Sequence, residues 1–121
     1  MKSVKDMVAA ANEVVDHAPA SELMDLHGQD GVTFVDLRDP RELEREGMIP
    51  GAFHCPRGML EFWIDPDSPY AKPQFQTGNR FVFYCASGWR SALSAQVAQD
   101  MGLENVSHIT DGFGGWKKAG G

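Results

Sequence analysis

The chain has 121 residues, 42% hydrophobic and 23% charged, with a formal net charge of −6. That describes one domain of ordinary globular composition, long enough to bury a core. No basic run exceeds Lys117-Lys118, which sets aside nucleic acid and an anionic membrane as electrostatic partners.

Residues 3–13 read as a helix with Val4, Met7, Val8 and Ala11 on one face. This extension precedes a domain over 14–121, and it either packs on that domain or makes a dimer contact, so monomer and homodimer are both open. Lys2, Lys5 and Ala18-Pro19-Ala20 imitate an export signal, but Asp6, Asn12, Glu13 and Asp16 interrupt any apolar core. No run approaches the ~18 apolar residues of a membrane span. A short strand is expected at Val14-Val15. Pro19 then opens a helix carrying Leu23, Met24 and Leu26, which ends near His27 before Gly28-Gln29-Asp30-Gly31.

Val32-Thr33-Phe34-Val35-Asp36-Leu37 is rich in β-branched and aromatic residues and predicts a strand. Asp39-Pro40-Arg41-Glu42 is a helix start: Asp39 caps, Pro40 takes the first helical position and Glu42 reaches back as in a capping box. That helix stops at Gly47. A turn at Met48-Ile49-Pro50-Gly51 delivers a brief strand, Ala52-Phe53-His54-Cys55, closed by Pro56. Met59, Leu60, Phe62 and Trp63 predict one or two helical turns. Residues 65–79, with Pro66, Pro69, Pro73 and Gly78, read as an irregular surface excursion.

Phe81-Val82-Phe83-Tyr84-Cys85 is uniformly apolar, as expected of a strand buried on both faces of a parallel sheet. After it, Leu93, Val97 and Met101 recur every fourth position beside Ala92, Ala95 and Ala98, predicting a helix whose apolar stripe faces the core and which ends at Gly102. Cys85 therefore sits between a buried strand and a helix N-terminus, with Gly88 and Arg90 in the connecting loop. Free N–H groups, the helix dipole, a curled glycine loop and an arginine all favour an anion there, hence a thiolate nucleophile. The alternative is an inert buried cysteine at a strand end. Val106-Ser107-His108-Ile109 predicts a last strand, and Asp111 to Trp116 leads into a terminal helix. Alternating strands and helices imply an α/β, three-layer sandwich with a mainly parallel, about five-stranded central sheet. Ligands bind such sheets beyond the strands' carboxyl ends, where Cys85 lies.

These residues resemble the rhodanese-like sulfurtransferases in single-domain form. Val35-Asp36-Leu37-Arg38-Asp39 with Glu42 resembles the family's first signature, and Gly47-Met48-Ile49-Pro50-Gly51-Ala52 the segment after it. Cys85-Ala86-Ser87-Gly88-Trp89-Arg90-Ser91 is similar to the active-site loop, and Gly112 to Trp116 with Ala119-Gly120 matches the closing signature. Met48 stands where the family usually has histidine, and Asp111 where it usually has glycine. The resemblance implies that Cys85 attacks the outer sulfur of a donor such as thiosulfate and becomes a persulfide. That sulfur then passes to cyanide or a thiol, a small molecule or a protein persulfide partner being the expected exchange partner. Ala86, Ser87, Gly88, Trp89, Arg90 and Ser91 are the expected substrate-binding residues, their amides cradling the persulfide anion. No cofactor or metal is expected.

Arg90 reads as an anion-attracting residue at the pocket rim or as a guanidinium paired with a carboxylate. Asp36 and Arg38 read as structural braces. Cys55 is expected to be a buried thiol, with a redox pair to Cys85 as the alternative. Two cysteines thirty positions apart make neither a disulfide framework nor a zinc set, and they fit a reducing, cytoplasmic compartment. His54-Cys55 lacks the further ligands a metal needs. His17, His27 and His108 are expected on the surface or hydrogen-bonded within the fold; Phe62, Trp63, Phe113 and Trp116 in the core or pocket wall. A cysteine phosphatase or arsenate reductase on this scaffold is the enzymatic rival. Such an enzyme needs His-Cys and an arginine six positions on, whereas Tyr84 precedes Cys85 and Arg90 lies five positions after it. A persulfide carrier or binding module with little turnover is the remaining alternative.

Overall fold

The computed structural model describes all of residues 1–121. Its elements are α1 (Val4–Val14), β1 (Asp16–Ala18), α2 (Ala20–Leu23), β2 (Val32–Asp36), α3 (Pro40–Glu46), β3 (Phe53–His54), α4 (Leu60–Ile64), β4 (Arg80–Tyr84), α5 (Trp89–Asp100), β5 (Val106–Ile109) and α6 (Gly112–Lys118). The five strands form one all-parallel sheet in the order β1-β5-β4-β2-β3. No helix is long and apolar enough to cross a membrane.

The period of two in a strand sends alternate β4 side chains to opposite faces. Phe81 and Phe83 enter a core with Val35, Leu37, Leu60, Phe75, Ala95 and Ala98, under α4 and α5. Val82 and Tyr84 enter a second core with Leu23, Phe34, Ile49, Ile109, Phe113 and Trp116, under α2 and α6. Two separate cores explain why β4 reads as one continuous apolar run. On α3 the capping box forms as expected: Arg41 N–H donates to Asp39 and Asp39 N–H donates to Glu42.

Three expectations are corrected. Val14-Val15 is not a strand: α1 runs through Val14, and β1 begins at Asp16, where pairing with Ser107 and His108 of β5 sets the register. The buried face of α5 is made of Ser91, Ala92, Ser94, Ala95 and Ala98, while Leu93 and Val97 are half-buried and Met101 is exposed. A helix seated close on a sheet takes small side chains at the contact, so its larger residues serve other surfaces. Leu93 packs instead with Val8 and Ala11, which seats α1 on α5. Phe62 is 52% exposed and meets Tyr70 edge-on outside the core.

Arg38 and Asp36 are both fully buried. Arg38 Nε and Nη2 donate to the Asp36 carboxylate at 3.1 and 2.8 Å, and Nη2 also donates to the Gly47 carbonyl at 2.7 Å. The guanidinium lies 4.3 Å from the centre of the Phe113 ring. Burial alone would lower the Arg38 pKa, but the Asp36 hydrogen bonds and charge raise it above the usual value. One side chain thereby ties the end of β2, the end of α3 and the first turn of α6 together. Removing either partner strands a buried charge, which costs about 3–5 kcal/mol. Asp36→Ala and Arg38→Ala should each lower the urea midpoint accordingly; a loss comparable to that of an exposed pair would refute this bracing role.

Candidate active site

Cys85 follows β4 directly and is buried. The loop after it is held from behind by α6. Phe113 N–H donates to the Cys85 carbonyl at 2.8 Å and Gly114 N–H to the Ala86 carbonyl at 3.3 Å. In a trans peptide the carbonyl and the following N–H point in opposite directions. With these two carbonyls turned to α6, the amides of Ala86 and Ser87 face the loop's other side. Gly88 N–H donates to Cys85 Sγ at 3.2 Å, and the first amides of α5 follow it.

Two glycines make this packing feasible. Gly88 has φ +104°, and a side chain there would run into the Thr110 carbonyl; at Gly112 (φ +61°) it would strike the Ala86 carbonyl. Both positions need backbone conformation and close approach that only glycine combines.

Trp89 is 49% exposed beside the loop. Arg90 forms a fork with Glu42, both bonds being 2.9 Å, and its side chain remains 40% exposed. Hydrogen bonding to Glu42 raises its pKa, and the nearby Cys85 sulfur raises it further. The same bond from Arg90, with one from the Asp39 N–H, holds the Glu42 carboxyl at about 2. Of the two readings of Arg90, the carboxylate-paired arrangement is the one present, on the sulfur's side of the loop. Ser91 lies behind the sulfur, fully buried, its Oγ 3.7 Å from Cys85 Sγ and 2.9 Å from His108 Nδ1. Ala86 lines a cavity of about 450 Å³ with Glu46, Phe113, Gly114 and Lys117.

Cys55 is remote from this site. It follows β3 while Cys85 follows β4, and β2 runs between them, with Asp36 paired to both His54 and Tyr84. Two strand spacings of about 4.8 Å put the cysteines about 9.6 Å apart, beyond the ~7 Å Cα reach of a disulfide. Burial also pushes the Cys55 thiol up to about 12. The redox-pair alternative is therefore rejected. Asp111 has a structural use: its carboxylate accepts the Ala20 N–H at 2.8 Å, at the start of α2.

Sequence reasoning missed Glu42 as the partner of Arg90, because its capping role accounted for it, and treated His108 as isolated. The only available signal for His108 was a histidine inside an otherwise strand-forming run. Burial, and then the charge of His17, push its imidazole down to about 4.

The rhodanese-like domain pattern matches residues 19–119, and the chain belongs to that family. A Synechocystis protein of uncharacterized function is 33% identical over 94% of this chain and 58% of its own length. The yeast thiosulfate:glutathione sulfurtransferase is 30% identical over 74% of this chain and 68% of its own. The chain spans about three fifths of the Synechocystis protein, and 63% of a mouse rhodanese-like domain-containing protein that it also resembles. Among solved structures, a Rhodopseudomonas palustris protein of unknown function, described as a possible tyrosine phosphatase, superposes with TM-score 0.97 at 56% identity, covering 100% of this chain and 93% of that one. The human single-domain sulfurtransferase TSTD1 shares the fold, with TM-score 0.68 at 23% identity over 86% of this chain and 96% of that one.

Two acid-sensitive windows follow. Glu42 is depressed in the folded state, so its contribution to stability is present above about 4.5 and is lost as pH falls toward about 2. His108 is held neutral, so the unfolded chain takes up a proton first, and stability drops as pH falls from about 6.5 to about 4, with no further loss below. Urea midpoints measured across pH should show both steps; Glu42→Gln should flatten only the lower one and His108→Phe only the upper.

Proposed function

We propose that the protein is a sulfurtransferase that carries a sulfane sulfur on Cys85. The observation that carries this reading is the cradle itself. Cys85 Sγ already receives the Gly88 N–H at 3.2 Å, in a loop whose Cys85 and Ala86 carbonyls are turned away to α6. A persulfide places one extra anionic sulfur in that concavity. The amides meet the charge with fixed dipoles that need no reorganisation as it forms. Cys85 is the nucleophile, Ala86 to Ser91 line the cradle, and transfer proceeds in two halves with ping-pong kinetics.

The donor is of the thiosulfate type, and the acceptor is a thiol or cyanide. The likeness to the yeast thiosulfate:glutathione sulfurtransferase supports a small thiol. The work belongs to a reducing, cytoplasmic setting, where thiol acceptors are abundant.

A phosphatase is the second reading, favoured by the description of the Rhodopseudomonas palustris structure. Against it stand the short loop, with Arg90 five positions after Cys85, and the arginine's commitment. A phosphate monoester asks for a guanidinium turned into the loop as a bidentate clamp. Here both arms of the Arg90 fork are taken by Glu42.

Thiosulfate and cyanide should yield thiocyanate, and incubation with thiosulfate alone should add one sulfur to the intact mass. Cys85→Ser should abolish both, while Cys55→Ser should keep most activity; robust aryl phosphate hydrolysis without thiocyanate would reverse the choice of reaction. With both arms of its fork held by Glu42, Arg90→Ala should leave the thiosulfate KM within about twofold of wild type. A KM raised more than kcat is lowered would restore Arg90 as an anion-attracting residue.

A further inference from the structure

Behind the sulfur runs a line of polar side chains from four parts of the fold. Cys85 Sγ is 3.7 Å from Ser91 Oγ, Ser91 Oγ is 2.9 Å from His108 Nδ1, and His108 Nε2 is 2.7 Å from Asn12 Oδ1. Ser91 and His108 are fully buried. A carboxamide oxygen only accepts, so the His108 proton sits on Nε2 and Nδ1 is left as an acceptor. Ser91 then donates its hydroxyl hydrogen to Nδ1. Its oxygen lone pairs are left facing Cys85, where a thiol hydrogen can be received.

Charge balance gives this line a use. Loading that starts from the protonated thiol places a new persulfide anion inside a protein of net charge −6. Arg90, the cation beside the sulfur, is already matched by Glu42. On the buried side of the sulfur His108 is the base at the end of the line, and a proton taken up there supplies the positive charge.

Resting on the sulfurtransferase reading, we propose that Ser91, His108 and Asn12 form an inward proton relay that retains the Cys85 thiol proton within the protein while sulfur is loaded. As Sγ bonds to the outer sulfur of thiosulfate, the S–H bond breaks and its proton passes to Ser91 Oγ. The Ser91 hydroxyl hydrogen passes in the same movement to His108 Nδ1. The donor S–S bond breaks, and its electron pair leaves on sulfite. The products are a persulfide anion, a neutral Ser91, a His108 imidazolium and free sulfite, so protons and charge balance without another reactant. Removal of the sulfur by the acceptor leaves a thiolate beside the imidazolium, and the proton returns by the same path.

Ser91 touches the reacting sulfur, whereas His108 and Asn12 are positioning residues that act through it. Asn12 keeps Nε2–H engaged and so keeps Nδ1 open. Around His108 stand Ser91 from α5, Asn12 from α1, Phe83 opposite on β4 and His17 of β1, whose ring centre is 5.9 Å away. Burial and His17 keep the imidazole neutral at rest, which leaves the base vacant at neutral pH. The persulfide formed nearby is the counter-charge that favours its protonation.

The test is wild-type protein with labelled histidine, studied by intact mass and imidazole NMR before and after thiosulfate. The expected result is a gain of one sulfur together with conversion of His108 from the neutral Nε2–H tautomer to the doubly protonated ring, both reversed by cyanide. Sulfur gain with His108 still neutral overturns the relay alone; no sulfur gain overturns the sulfurtransferase reading and the relay with it. In variants, loading should slow about 100-fold for His108→Phe and about tenfold for Asn12→Leu. Asn12→Asp keeps an acceptor for Nε2–H and should load at least as fast as wild type. Equal slowing by both Asn12 substitutions would make that residue a packing element and overturn its part in the relay.

Discussion

Two hydrogen bonds, from the amides of Phe113 and Gly114 to the carbonyls of Cys85 and Ala86, orient the loop on which the rest of the site depends. They decide which way the loop's peptides face, and planar peptide geometry does the rest. Neither bond forms unless α6 lies against the loop without intervening side chains, hence glycine at 112, while glycine at 88 clears the Thr110 carbonyl. The helix is anchored in turn by Phe113 and Trp116 in the second core and by the Arg38 guanidinium against the Phe113 ring. The buried Asp36–Arg38 pair is thus connected mechanically to the cysteine at the end of the neighbouring strand.

The full charges around the site are largely neutralised in pairs, Arg38 by Asp36 and Arg90 by Glu42. What remains to greet an anion is a set of oriented amides. Such a field is short-ranged and shaped, and it offers no free guanidinium. It also gives value to any proton retained near the sulfur.

Much of the fold was legible in the residues. Phe81 to Cys85 could hardly be anything but a doubly buried strand, Val106 to Ile109 matched β5 residue for residue, and Asp39-Pro40-Arg41-Glu42 specified a capped helix from local chemistry alone. Local rules failed where a partner overruled them. Val14-Val15 has strand propensity, but β5 pairs from Asp16 onward. Hydrophobicity pointed α5 by its large residues, whereas closeness to the sheet selected its alanines and serines. Phe62 is apolar yet lies outside the core, because the face of α4 turned inward is the one that carries Leu60 and Ile64.

The sequence by itself determined the parallel sheet, the position of Cys85 between a strand and a helix, and the five-position spacing from Cys85 to Arg90. All of these follow from short-range patterning, where a residue's neighbours in the chain are also its neighbours in space. Tertiary structure alone decided the partner of Arg90, the distance that separates Cys55 from Cys85, and the line from Asn12 through His108 and Ser91. Those relations link residues 48, 30 and 96 positions apart, and no pattern along the chain carries the angle and spacing at which helices and strands finally meet.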